Sequence, residues 1–169
     1  TRFNESLAGA VRFGEVEEIE YRSGDALVQG WLVKPPDFAI GTARPLHVEL
    51  HGGPHAMHHL GFSPAVQQMA AAGYLVLLLN PRGSTGYGQG FYEEIDYGGL
   101  EVEDNHAARD YMVEAYDFVD AGRVGTAPQL KQQQPGVAKQ VRRGAVLRAF
   151  DAGAVAIDER ALLHAHGDV

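Results

Sequence analysis

The 169-residue chain contains no cysteine, so disulfide bonds and thiolate chemistry are excluded. It contains no serine after Ser84, and beyond Phe118 its only aromatic residue is Phe150. Basic residues are in short supply. Fourteen Lys and Arg stand against 22 Asp and Glu, a formal net charge of −8. No surplus is left to neutralise phosphates, so no nucleic-acid partner is expected. Long apolar runs are absent too. The longest, Met69–Leu79, falls short of the roughly 18–20 residues of a membrane span. The first twenty residues have no apolar core of the signal-peptide kind. These absences predict a protein without membrane association, cytoplasmic unless an export signal has been removed.

What is present suits a globular domain. The length allows a real core, and 45% hydrophobic with 21% charged residues are globular values. A composition break falls near residue 121. Residues 1–121 hold 18 acidic and 7 basic side chains, whereas residues 122–169 hold 4 and 7, so the local balance moves from −11 to +3. The expected organisation is therefore a core over 1–121 and a divergent segment over 122–169, with "QLKQQQPG" at 129–136 as a polar connector.

The first part has readable periodicity. "EEIEYRSGDALVQGWLVKPP" gives two extended segments around Ser23-Gly24-Asp25, an antiparallel hairpin ended by Pro35 and Pro36. "LHVEL" alternates, with Leu46, Val48 and Leu50 on one face and His47 and Glu49 on the other. "SPAVQQMAAAG" predicts a helix capped by Ser63, with Pro64 in its first turn and Gly73 just past its end. Val66, Met69 and Ala70 form its apolar stripe. "YLVLLLN" is apolar on both faces, the pattern of a buried central strand. A second helix is expected over "EVEDNHAARDYMVEAYDFVD", with Ala108, Met112, Ala115 and Val119 on one face. Together these predict an α/β fold: a mixed sheet with an antiparallel N-terminal hairpin and a parallel strand-helix-strand unit.

The stretch "HGGPHAMHH" follows the "LHVEL" strand. His51, His55, His58 and His59 could supply imidazoles to a metal, but the Gly52-Gly53-Pro54 break prevents the regular helical spacing of a zinc motif. No metal site is expected, and His58 and His59 read as solvated loop residues. "NPRGSTGYGQG" offers Gly83, Gly86, Gly88 and Gly90, but position 91 is Phe and no dinucleotide register fits. That stretch reads as a turn-rich loop. A strand ending in "HGGP" has another use. Ligands of open α/β sheets bind at the carboxyl ends of strands, and in lipases and esterases such a segment forms half of an oxyanion hole.

Taken in order, "GWLVKPPDF", "HVELHGGPH", "MAAAGYLVLLLNPRGSTGYGQGF" and "YGGLEVEDNHAARDYM" resemble the catalytic domain of the prolyl oligopeptidase family of serine peptidases. The acylaminoacyl-peptidase and dipeptidyl-peptidase-like branch is the most similar, over about residues 16–121. The resemblance implies a partial α/β-hydrolase fold, the N-terminal half of the catalytic domain. It also implies that Gly52 or Gly53 lends an oxyanion N–H. His51, Pro54, Arg82 and Ser84 would line or buttress the rim, with Ser84 in a structural loop rather than at a nucleophile elbow. Acyl transfer to water on a small ester or peptide-like substrate is implied, with no cofactor.

The pattern then breaks. After "RDYMVEAYDFVDAGRVG" the family would continue into a strand and Gly-x-Ser-x-Gly, but the chain reads "TAPQLKQQQPG". The family's acyl-enzyme route cannot run without that serine. "ALLHAHGDV" has a His-x-x-x-Asp spacing, His164 to Asp168, that in the family marks the strand of the catalytic acid. Asp168 would then hold the acid position. Either the chain is a fragment with an altered frame after about residue 124, or it is a shortened hydrolase with a rebuilt site using a displaced serine. Three classes stay open: an inactive or weakly esterolytic hydrolase-lineage protein, a non-catalytic binding or self-associating protein, and a histidine-rich metal binder. A half sheet with an uncovered edge makes a homo-oligomer a further expectation.

Overall fold

The computed structural model describes residues 5–53 and 55–128. Pro54, His164, His166, Asp168 and the connector at 129–136 lie outside the described residues. The expected hairpin is formed by β1 (Val16–Ser23) and β2 (Ala26–Val33), paired in register from Val16↔Val33 to Ser23↔Ala26. Its turn is possible because Gly24 takes a left-handed φ of 60°. The crossover unit follows as β3 (Arg44–Leu50), α2 (Pro64–Ala71) and β4 (Leu75–Asn80), with β3 and β4 parallel. The caps of α2 are those its sequence predicts. Ser63 accepts a hydrogen bond from Val66 N, and Gly73 beyond the end has φ 96°.

The five-stranded sheet has the order β1-β2-β4-β3-β5, where β5 is Val119–Pro128. Strand β4 is antiparallel to β2 and parallel to β3, so both its edges are paired. Both its faces are covered as well. Leu75, Leu77 and Leu79 join the core under α4 (Leu100–Ala115), while Val76 and Leu78 join Trp31, Val33 and Ala70 under α2. The two helices therefore lie on opposite faces of one mixed sheet. His47, on the face expected to be polar, is also buried, and its Nε2 lies 2.8 Å from Glu49 Oε2. Burial of both faces of β3 follows from its central place between β4 and β5.

Two elements differ from the sequence reading. Helix α4 stops at Ala115, so Ala115 is exposed and Val119 opens β5 instead of continuing the apolar stripe. Tyr116 turns extended, at φ −127° and ψ 107°, because Phe118 and Val119 are drawn into the core, where Phe118 packs edge-on against Phe38. The short helices α1 (Glu5–Ala10) and α3 (Gln89–Glu93) carry too few residues to show a periodic stripe. Strand β5 crosses residue 121 with a bulge: Arg44 faces Val119, yet Leu46 already faces Val124.

Beneath α4 lies a charged pair. Asp104 is 0% exposed and sits one turn before Ala108 and two before Met112, on the helix face turned to the sheet. Its carboxylate accepts from Arg82 N at 2.7 Å, Arg82 Nη2 at 2.7 Å and Arg82 Nε at 3.1 Å. The same guanidinium lies 3.5 Å from Ser23 O and 3.5 Å from Asp25 Oδ1. The hairpin turn, the end of β4 and α4 therefore meet at one cation.

Leu77→Ala should destabilise the protein by about 2–5 kcal/mol, the range for removing a fully buried leucine side chain, in a urea titration. Asp104→Ala should cost about 3–5 kcal/mol in the same measurement, because it leaves the Arg82 charge buried without its main partner.

Candidate active site

The carboxyl ends of the parallel strands β3 and β4 lie at one rim of the sheet, where open α/β sheets place their ligands. Past β3 the chain turns sharply at Gly52 and Gly53. Gly53 has φ 141°, and a Cβ built there would lie 2.9 Å from His55 N, so no other residue fits without strain. Among the described residues, neither the Gly52 nor the Gly53 N–H has a hydrogen-bond acceptor. The His51 ring reaches Gly52 O through Nδ1 at 3.2 Å. In a trans peptide the carbonyl and the following N–H point in opposite directions. A Gly52 carbonyl held toward His51 therefore turns the Gly53 N–H away from it.

On its other side the His51 ring meets Ser84, Nε2 to Oγ at 3.0 Å. Burial holds the His51 pKa below the ordinary histidine value, against the opposing pull of the Gly52 carbonyl, so the ring is neutral at pH 7. A neutral ring has one N–H. It can sit on Nδ1 toward Gly52 O, with the Ser84 hydroxyl donating to Nε2. Alternatively it sits on Nε2 toward Ser84 Oγ, with the hydroxyl donating to Pro81 O, 2.6 Å away. Neither arrangement makes a nucleophile. Ser84 is 1% exposed, so no substrate carbonyl can reach its Oγ, and among the described residues no carboxylate is hydrogen-bonded to the His51 ring. The serine-histidine contact that a rebuilt site requires is present, but in a closed, structural form.

The loop leading away from the turn is pinned to the loop after β4. His55 Nδ1 lies 3.0 Å from Gly83 O, and Thr85 N donates to Ala56 O at 2.9 Å. His55 also stacks on Tyr92, with ring centroids 3.7 Å apart. Gly83, Gly86 and Gly88 all have positive φ, as a turn-rich loop requires, and Gly90 opens α3 instead. His59 is exposed, whereas His58 is not the solvated loop residue that its sequence setting suggests. Its main chain is bonded to the Asn80 side chain, and its Nε2 lies 3.2 Å from Glu49 O. Burial, helped by the neighbouring His51 ring, pulls its pKa down to about 4. Among the described residues no group of three or more His, Asp or Glu could hold a metal ion.

His51, Gly52, Gly53 and Ser84 are thus brought together, while Arg82 extends away from them toward Asp104 and the hairpin turn. Asp104 and Asn80 are the rim's supports that the sequence reading does not single out, and His58 is a third that it reads as a solvated loop residue. The one available signal is polarity out of place: an Asp in the apolar stripe of α4 and an Asn ending an otherwise apolar strand.

A mixed sheet with helices on both faces and a double-glycine turn at the carboxyl end of a parallel strand defines part of an α/β-hydrolase domain. Residues 60–127 match the model of the prolyl oligopeptidase family. An uncharacterized peptidase of Bacillus subtilis is 40% identical over 112 residues, covering 64% of this chain and 17% of that protein. Dipeptidyl-peptidase 5 of Schizosaccharomyces pombe is 35% identical over 103 residues, covering 57% of this chain and 15% of that one. The acylaminoacyl peptidase of Pyrococcus horikoshii superposes with a TM-score of 0.71 at 28% identity, over 76% of this chain and 21% of its own. The chain thus spans less than a fifth of the length of these curated relatives.

The low His58 pKa sets an acid limit on stability. As pH falls below about 6.5, the unfolded chain binds the proton while folded His58 stays neutral until about pH 4. The full stability contribution holds above about pH 6.5 and is lost toward pH 4, at no more than about 1.4 kcal/mol per pH unit. The urea midpoint should drop between pH 7 and pH 5, and the drop should be smaller in His58→Asn.

Proposed function

We propose that the described segment is the oxyanion-binding half of a serine-hydrolase domain, acting in acyl transfer to water on ester or peptide-like substrates. The observation that supports this reading is the Gly52-Gly53 turn. Among the described residues it has two main-chain N–H groups without acceptors at the carboxyl rim of the sheet, beside a strand end. Such donors stabilise the negative oxygen that forms when a carbonyl carbon becomes tetrahedral. The nucleophile is a separate matter. This sequence has no Gly-x-Ser-x-Gly, and the buried Ser84 does not replace it. The chain by itself is then an inactive or weakly esterolytic member of its lineage.

A second reading is favoured by the sheet order. Strand β5 has a single neighbour among the described residues, β3, and an open strand edge can pair with another chain. A non-catalytic protein that self-associates through that edge would show a mass that rises with concentration in sedimentation equilibrium.

The hydrolase reading has a direct test. The purified chain should show no peptidase turnover and at most slow hydrolysis of nitrophenyl esters. Gly53→Val should remove most of that activity, since loss of one oxyanion donor costs roughly 10²–10³-fold in a complete serine protease. Ser84→Ala should leave it in place. Strong ester hydrolysis abolished by Ser84→Ala, with the circular dichroism unchanged, would establish a rebuilt serine site and overturn the proposal.

A further inference from the structure

We propose that Asn80 is a positioning residue for the glycine turn, gripping the main chain of His58 and through it seating the His51 ring behind Gly52 and Gly53. The purpose given to the turn rests on the hydrolase reading above; the mechanical linkage does not. Asn80 ends β4 after five buried apolar residues and is itself fully buried. A polar amide in such a place is costly unless its hydrogen bonds are made. Here they are. Oδ1 accepts from His58 N at 2.7 Å, and Nδ2 donates to His58 O at 3.1 Å. Nδ2 also donates to Tyr87 OH at 2.6 Å, whose hydroxyl donates in turn to Gln29 Oε1 at 2.5 Å.

A side chain that holds both the N–H and the C=O of one residue fixes its position and its orientation together, as a rung of a sheet does. Beyond the ends of β3 and β4 no strand ladder does this for the loop. Tyr87 and Gln29 keep the Asn80 amide from turning over, and so preserve which end accepts and which donates. His58, held in this way, places its Nε2 against Glu49 O and its ring edge-on to His51, with centroids 5.2 Å apart at 74°. The His51 ring in turn lies against Gly52 O. The path runs from the end of β4 to the peptide plane that directs the Gly53 N–H. The remaining ties are Ser84 Oγ to His51 Nε2, which meets the ring on its side away from Gly52 O, and His55 to Gly83 O and Ala56 O to Thr85 N, which fasten the loop downstream of the turn.

A loop anchor with only a structural role would change stability and leave the turn as it is, so the test reads the turn itself. In the full ¹⁵N-labelled chain, Asn80→Leu removes both bonds to His58 at similar side-chain size. The His58 amide should then exchange with solvent at least about tenfold faster, as a locally opened hydrogen bond does, while the Leu77 and Leu79 amides do not change. The Gly52 and Gly53 amide resonances and the His51 ring nitrogens should shift. Tyr87→Phe, which keeps the clamp but frees the Asn80 amide, should move the same resonances in the same direction by less. Val28→Ala, buried in the core away from the rim, should leave them in place. Unmoved Gly52, Gly53 and His51 signals in Asn80→Leu, with His58 exchange raised, would overturn the proposal. If Asn80→Leu does not fold, unmoved signals in Tyr87→Phe would overturn it equally. Where the wild-type chain hydrolyses nitrophenyl esters, Asn80→Leu should lower kcat with KM unchanged. Strong ester hydrolysis abolished by Ser84→Ala overturns the hydrolase reading alone, and the resonances still decide the role of Asn80.

Discussion

Arg82 and Asp104 meet where three separate pieces of chain must agree. Arg82 follows the end of the central strand, Asp104 sits on the inward face of α4, and Ser23 and Asp25 form the hairpin turn. A carboxylate this deeply buried is tolerable only because three donors from one residue converge on it, one of them the main-chain N–H of Arg82. Asp104 in turn keeps the Arg82 guanidinium protonated more firmly than in water. Tyr21 completes the arrangement from β1, its hydroxyl donating to Asp104 O at 3.0 Å. Burial and the nearby Asp104 charge both resist ionisation of that hydroxyl, so it stays a donor. Buried ion pairs add little net stability over well-packed apolar residues, but they penalise wrong arrangements heavily. Here the penalty falls on any placement of α4 that moves Asp104 away from the end of β4.

With α4 fixed below the sheet and β4 held between β2 and β3, the loop after β4 has a defined starting point. Its left-handed glycines fold it back across the rim, where Gly83 O, Thr85 N and the Ser84 hydroxyl face the His51–His58 segment. The glycine turn is thus held from behind by neutral, hydrogen-bonded groups rather than by charge. That would suit the proposed oxyanion site, where preorganised N–H dipoles need no fixed positive charge beside them as negative charge develops. It also explains the acid sensitivity of the rim. Protonating His58 would place a charge beside His51 in a setting that now disfavours it.

Four of the five strands were legible in the sequence because their signal is local, whereas the start of β5 read as the end of a helix. Alternation marks β1, β2 and β3, a continuous apolar run marks β4, and Ser63, Pro64 and Gly73 bracket α2. The end of α4 was not legible, since "EAYDFVD" continues a helical pattern until burial of Phe118 and Val119 overrides it. The glycine turn could be located from "HGGP", yet what holds it could not. Asp104 pairs with Arg82 and Asn80 pairs with His58, each across 22 residues, and no period of 2 or 3.6 encodes such contacts. The solvated reading of His58 fails for the same reason: its partners, Asn80 and Glu49, come from the ends of two different strands.

The geometry also bounds what this chain can do chemically. A single oxyanion donor is worth about 2.7–4 kcal/mol to a transition state, whereas loss of a triad nucleophile removes a factor on the order of 10⁶. Under the proposed reading, the Gly52 and Gly53 N–H groups alone would not replace a triad nucleophile. Ser84 cannot be recruited by a modest shift of its side chain, because its hydroxyl is sealed between His51 and Pro81 O. The contact that looks most like catalytic machinery is thus a closed, structural one.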